Sequence, residues 1–273
     1  MHTACNTSSQ IFHDPWLLAA RNASLLGFTY SGAKYRLAKY IVPHMPQRGR
    51  IYCEPFAGLA ALYWKMALAS EYEQWRLNDI RTAPFFRALS THGNVVEVPA
   101  RGHDEFQRQK AAFGLGDPGA VLLGPYFSFN GGFYSKGERK DEGSITAASY
   151  EARLRMSHAI MSLTQPAITA LDWKLVVADL GPQDFVYFDP PYRGCHVGSY
   201  HSNDIIHEEL VQELLQAPYR WLLSEYQHPI YDRLGRPFWQ KEVQLRTTNF
   251  RDDGGKSRRV ECLWRNFHPK VSP

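Results

Sequence analysis

The densest chemical potential in this sequence lies at residues 189–192, where Asp-Pro-Pro-Tyr closes the apolar run Phe185–Phe188. Pro190 and Pro191 have no amide hydrogen to give a sheet ladder, so a strand that reaches them must end. Their fixed φ angles make a stiff turn that projects carbonyl oxygens rather than N–H groups. An acid, Asp189, beside carbonyl acceptors suits a donor with two N–H hydrogens, an amine. Tyr192 adds a flat face on which an aromatic ring can stack.

Two further stretches fit the same edge of a sheet. In doubly wound sheets, ligands lie beyond the carboxyl ends of the strands, near the switch in strand order. Glu-Pro-Phe-Ala-Gly at 54–58 ends an apolar run and precedes a stretch with helical spacing. That is a strand, a glycine turn and a helix, with Pro55 stiffening the turn and Gly58 allowing close backbone approach. Ala60 and Ala61 stand where the G-x-G-x-x-G pattern would have further glycines. A dinucleotide needs those glycines to lay its pyrophosphate on the helix N-terminus, so the run points away from NAD and toward a nucleoside without phosphates. About twenty residues later Asp79 ends the stretch 74–80, where nucleoside-binding α/β folds place an acid against the ribose hydroxyls. Capping of the next helix, which begins Arg-Thr-Ala-Pro, is the alternative use of that acid.

These residues need elements to position them. Strand-like runs recur at 50–58, 74–80, 184–192, 219–226 and 258–267, and helical spacing at 16–26, 34–42, 59–70 and 207–218. Strands alternating with helices predict an open, mostly parallel α/β sheet with right-handed crossovers. The segment 99–165 differs, being rich in glycine and charge with aromatics interleaved, and reads as an insertion that carries recognition rather than core. With 273 residues and 44% hydrophobic side chains, the chain can bury a full core. Its net charge of +4 permits a nucleic-acid partner without demanding one. Cys5, Cys53, Cys195 and Cys262 form no CxxC pair and no metal-ligand spacing, which suits free thiols in a reducing cytosol. Long apolar spans and a basic-then-apolar leader pattern are both missing from the sequence, so a soluble, intracellular protein is expected.

Taken in order, Phe-Thr-Tyr-Ser-Gly-Ala-Lys (28–34), Glu-Pro-Phe-Ala-Gly (54–58), Asn-Asp-Ile (78–80) and Asp-Pro-Pro-Tyr (189–192) resemble the Dam-like family of S-adenosylmethionine-dependent, adenine-specific DNA methyltransferases. The resemblance runs over about residues 25–267. Phe-Asn-Gly at 129–131 looks like an element of that family's insertion, and 222–226 and 261–267 look like its later strands. Two positions depart from the family pattern: 31–34 reads Ser-Gly-Ala-Lys rather than Ser-Gly-Gly-Lys, and the turn at 57–60 reads Ala-Gly-Leu-Ala, without a second glycine.

The resemblance implies a Rossmann-like methyltransferase sheet flanked by helices, with an inserted target-recognition region. The catalytic part would be 25–98 with 166–267, the insertion 99–165, and the terminal extensions 1–24 and 268–273. It implies methyl transfer from S-adenosylmethionine to the exocyclic amine of an adenine flipped out of double-stranded DNA. Asp189 and the Pro190 carbonyl would accept the amine hydrogens and Tyr192 would stack on the base. Tyr30, Lys34, Pro55, Phe56, Ala57, Gly58, Asp79, Ile80, Asp172, Trp173 and Asp189 would hold the cofactor, with Lys34 on its methionine carboxylate. Asn130, Tyr134, Lys136, Arg139, Lys140, Lys256, Arg258 and Arg259 would meet DNA. No metal is required, and the setting would be the cytoplasm of a bacterial or phage-infected cell, with or without a partner restriction endonuclease. Transfer to amino-cytosine or to adenine in RNA, and a DNA-binding protein that no longer reacts, are the rival readings.

Overall fold

The structure, a computed structural model, describes residues 27–30, 32–135, 137–140, 145–193, 204–245 and 257–268. The helix expected at 16–26, the extension 1–24, most of the extension 268–273, and the DNA candidates Lys136 and Lys256 lie outside these residues.

Side-chain alternation divides the core into two layers. In β1 (Arg48–Glu54), Tyr52 packs on one face of the sheet while Ile51 and Cys53 pack on the other. The strands β2 (Glu71–Asn78), β3 (Ala167–Thr169), β4 (Phe185–Phe188), β5 (Arg220–Tyr226), β6 (Trp239–Leu245) and β7 (Ser257–Arg265) complete a sheet of seven. In β4, Phe185 and Tyr187 join the first layer, and Val186 and Phe188 join the second. A strand buried on both faces reads as an unbroken apolar run, as Phe-Val-Tyr-Phe does.

The strand order is β3-β2-β1-β4-β5-β7-β6. The first five strands run parallel, and β7 runs antiparallel to both its neighbours. This is the doubly wound arrangement expected for a Rossmann-like methyltransferase sheet. The order reverses between β1 and β4, and the register sets Glu54 beside Leu77 and Cys53 beside Val186. The carboxyl ends of β1, β2 and β4 therefore meet at one edge. The final strands, β6 and β7, form an antiparallel pair.

Among the described residues the α-helices are α1 (Ala38–Ile41), α2 (Tyr63–Ala69), α3 (Ala83–His92), α4 (His103–Gly114), α5 (Pro118–Phe127), α6 (Ala147–Thr164), α7 (Trp173–Val177) and α8 (Asp204–Gln216). Helices α2, α3, α5 and α6 cover the first layer, while α7 and α8 cover the second. The segment 99–165 departs from its expected character. Its helix α5 is buried from Ala120 to Phe127, and Tyr150 of α6 donates its hydroxyl to the Leu122 carbonyl at 2.8 Å. Glycine and charge are concentrated at the flanks of this segment and mask the apolar run 120–127 at its centre. Among the described residues, no helix is long and apolar enough to cross a membrane.

Candidate active site

The turn after β1 is built around Gly58 and Ala60, both in the left-handed region at φ 52° and 53°. Ala60 is fully buried and holds a conformation that glycine adopts at lower cost. Position 60 is where the pattern of the resembling family has a second glycine, and α2 starts only at Tyr63. The Gly58 amide donates to Oδ2 of Asp79 at 3.0 Å, and the amides of Arg81 and Thr82 donate to Oδ1 at 2.8 and 2.9 Å. Asp79 thus clamps the Gly58 turn and also holds the turn that leads into α3. A carboxylate has about four acceptor directions, so about one is left for a ligand hydroxyl.

Asn78 next to it is buried and was not singled out from the sequence. Its amide donates to the carbonyls of Pro55 at 2.8 Å and Leu171 at 3.1 Å. Its oxygen accepts from Thr169 Oγ1 at 2.7 Å and from the Leu171 amide at 2.8 Å. One side chain therefore ties the turn after β1 to the loop after β3. Around this edge Phe56 is half-buried against Trp173 and Phe188, Ala57 is buried, and Ile80 is 73% exposed. Asp172 is exposed and caps α7 by accepting from the Lys174 amide at 2.9 Å, while Trp173 is buried in the second layer.

At the end of β4, Asp189 meets Lys34. Phe28 anchors that upstream segment, fully buried against Trp64, Phe85 and Tyr150. Lys34 Nζ lies 2.7 Å from Oδ1 of Asp189 and donates to the Gly32 carbonyl at 3.1 Å. It also lies 4.3 Å from the centroid of the Tyr192 ring, a cation–π contact. The lysine expected on a cofactor carboxylate thus sits, in this structure, against the acid and the aromatic face of the Asp-Pro-Pro-Tyr turn. Burial alone would lower the Lys34 ammonium, but its attraction to Asp189, Glu261 and Glu225 outweighs that and raises it. Burial pushes the Asp189 carboxyl up to about 6 against the opposing pull of Lys34.

Buried acids surround the pair. Glu54, at the end of β1, accepts from the Tyr52 hydroxyl at 2.6 Å, and desolvation pushes its carboxyl up to about 8. Glu225 is fully buried and its carboxyl is held well above the ordinary range, chiefly by desolvation. Tyr192 is 9% exposed, and its hydroxyl reaches Ser224 and Glu261. Glu54, Ser224, Glu225 and Glu261 were not predicted. The available signal was an acid or serine directly beside apolar residues of a strand-like run, a placement costly unless the group is partnered.

The residues expected to meet DNA are divided. Asn130 is exposed at φ 50° in the turn Phe129–Gly131. That turn lies beside Tyr30: a Cβ on Gly131 would come within 1.9 Å of the Thr29 carbonyl oxygen, and one on Gly58 within 3.4 Å of the Tyr30 ring. Lys140 and Arg258 are exposed, Arg259 is half-buried, and Arg258 lies 3.4 Å from Glu242. Tyr134 and Arg139, expected at the DNA surface, are instead buried. Tyr134 packs on Phe106 and Phe113 and donates its hydroxyl to the Ala120 carbonyl at 3.0 Å. Both belong to the segment whose aromatics fold inward with α5. Among the described residues, no cluster of three or more His, Cys, Asp or Glu side chains could hold a metal ion.

The chain resembles SMU.472, a candidate methyltransferase whose crystal structure is of the complex with SAH, at 9% identity and a TM-score of 0.39. The match covers 92% of this chain and 56% of that one, so the chain spans little more than half its length. No curated protein matches the chain at a significant level. Residues 30–85 match the family model of the D12 class N6 adenine-specific DNA methyltransferases, a stretch that takes in Tyr30, Lys34, the Gly58 turn and Asp79. That match is consistent with the Dam-like resemblance and supports a methyltransferase.

Proposed function

We propose that this protein methylates the exocyclic amine of adenine in double-stranded DNA, using S-adenosylmethionine. The observation that carries the reading is the meeting of Asp189, Lys34 and Tyr192 at the carboxyl end of β4, one strand from the Gly58–Asp79 clamp. When bound, S-adenosylmethionine supplies an electrophilic methyl group on a sulfonium. The residues fit such a cofactor. Asp79 retains about one acceptor direction for a ribose hydroxyl, Gly58 leaves its backbone approachable, and Ile80 offers an exposed apolar side chain for a purine to cover.

The chain's own contribution is acceptor placement. An exocyclic amine is a poor nucleophile because its lone pair is delocalised into the ring. Asp189 and the Pro190 carbonyl each accept one of its hydrogens, which favours the tetrahedral nitrogen and the positive charge that develops on it. Lys34 Nζ already occupies the position of a cation between Asp189 and the Tyr192 face, so this place is suited to a positively charged nitrogen. Asp189 is half-buried at its turn, so a duplex adenine reaches it only when flipped from the stack. Exposed Asn130, Lys140 and Arg258 are the described candidates for DNA contact.

The test is transfer of labelled methyl from S-adenosylmethionine to adenine-containing duplex DNA, with N6-methyladenine read by mass. Asp189→Ala should lower transfer at least about 10²–10³-fold, with cofactor binding largely kept by calorimetry because the Gly58 turn and Asp79 remain. Transfer that survives this change removes Asp189 from the chemistry. Label found on cytosine or RNA favours those substrates, and firm DNA binding without transfer favours a non-catalytic DNA-binding protein.

A further inference from the structure

Tyr192 is held from behind by a carboxylate for which the chemistry above has no use. Glu261 lies on β7, registered opposite Tyr226 of β5, and is 3% exposed. The Tyr192 hydroxyl donates to Oε1 of Glu261 and lies 2.9 Å from Ser224 Oγ. Ser224, fully buried on β5, donates to the same carboxylate oxygen at 2.9 Å. Burial raises the Tyr192 phenol well above its ordinary range, so the hydroxyl keeps its proton and remains a donor. The ring meets Tyr226 edge-on, with centroids 4.5 Å apart and planes at 84°. A tyrosine side chain has two rotatable torsions, and contacts at both its ring and its hydroxyl restrict both. Its face is thereby presented to the place where Lys34 meets Asp189.

An apolar side chain could fill position 261 without dehydrating an acid. What the acid adds is a strong, directed acceptor. We propose that Glu261, with Ser224, is a positioning residue that fixes the plane of the Tyr192 ring and so the attitude of the base lying beside Asp189. The proposal rests on the methyltransferase reading, since only an aromatic substrate makes the ring plane matter.

The experiment is a double-mutant cycle on the full chain. Glu261→Gln, which leaves a neutral amide oxygen as the only acceptor, should lower kcat for methyl transfer to duplex DNA about tenfold, the difference between a hydrogen bond to a charged acceptor and one to a neutral acceptor. KM for S-adenosylmethionine and the melting temperature should stay near wild type. Tyr192→Phe should lower kcat similarly, and adding Glu261→Gln to it should cost less than about twofold more, because no hydroxyl remains to orient. Wild-type kcat in Glu261→Gln, or losses that multiply in the double variant, overturns the proposal. Should Glu261→Gln not fold, Ser224→Ala with Tyr192→Phe runs the same cycle. A fluorotyrosine placed at 192 gives a readout independent of activity: its ¹⁹F resonance should shift or broaden in the 261 or 224 variant, and an unchanged resonance overturns the anchoring. Wild-type protein that methylates no DNA overturns the functional reading alone, because the ¹⁹F signal still reports whether Glu261 holds the ring.

Discussion

Asp189 has to satisfy two opposed demands. Its carboxyl is pushed to about 6 by burial, against the pull of Lys34, yet only the ionised form accepts an amine hydrogen strongly and offsets the positive charge that develops on the nitrogen. Single-turnover transfer should therefore climb with pH through about 6 and level off above it, with Lys34 remaining an ammonium throughout because its attraction to the neighbouring acids raises it. A rate that stays flat down to about pH 5 would show that Asp189 ionisation does not gate the step. At this scale the sequence was informative wherever a residue type carries its own geometric rule. Pro190 and Pro191 end a strand wherever they stand, and Gly58 takes its turn by virtue of having no Cβ. Asn78, Ser224 and Glu261 obey no such local rule. Each is a buried polar residue within a strand, and its role depends on which partner the sheet brings to it.

The turn Phe129–Gly131 shows how an element near the site is held. Gly131 has φ 67°, and a Cβ there would strike the Thr29 carbonyl oxygen, on the segment that leads to Tyr30 and Lys34. Gly131→Ala should destabilise the protein by about 2 kcal/mol or more through strain and collision together, read as a lower denaturant midpoint. Gly102→Ala, where a Cβ meets nothing within 4 Å, is the control and should leave the midpoint near wild type. The strands of the sheet were legible because apolar runs of four to eight residues ending in turn residues have few other homes. The insertion was less legible. Its composition averages exposed flanks with the buried run of α5, and only packing on α3 and α6 separates the two.

Buried acids give the whole molecule an unusual pH response. Glu54 holds its proton to about 8 in the folded protein against 4.5 for an ordinary glutamate, chiefly because it is buried. The folded state then binds that proton more tightly than the unfolded chain, so the stability it contributes is fully present below about 4.5 and is lost as pH rises through about 8. Asp189 acts in the same direction between its ordinary value of 3.8 and about 6. Ligand-free protein should melt at a higher temperature at pH 6 than at pH 8.5. Glu54→Gln, which keeps an acceptor for the Tyr52 hydroxyl, should flatten that difference. An unchanged difference in this variant would assign the response to other groups.

By itself the sequence determined the order of the motifs, the residues that end strands over one edge, and a doubly wound sheet, because sterics and side-chain alternation act over a few neighbouring residues. Only the tertiary structure decided what those ends face. It set Lys34 on Asp189 and Glu261 behind Tyr192, made one carboxylate at Asp79 serve both the glycine turn and the next helix, and turned Tyr134 and Arg139 inward. Ion pairs and buried hydrogen bonds join residues far apart in the chain, so they exist only once parallel crossovers have laid β1, β2, β4 and β5 side by side and the antiparallel β7 has joined them.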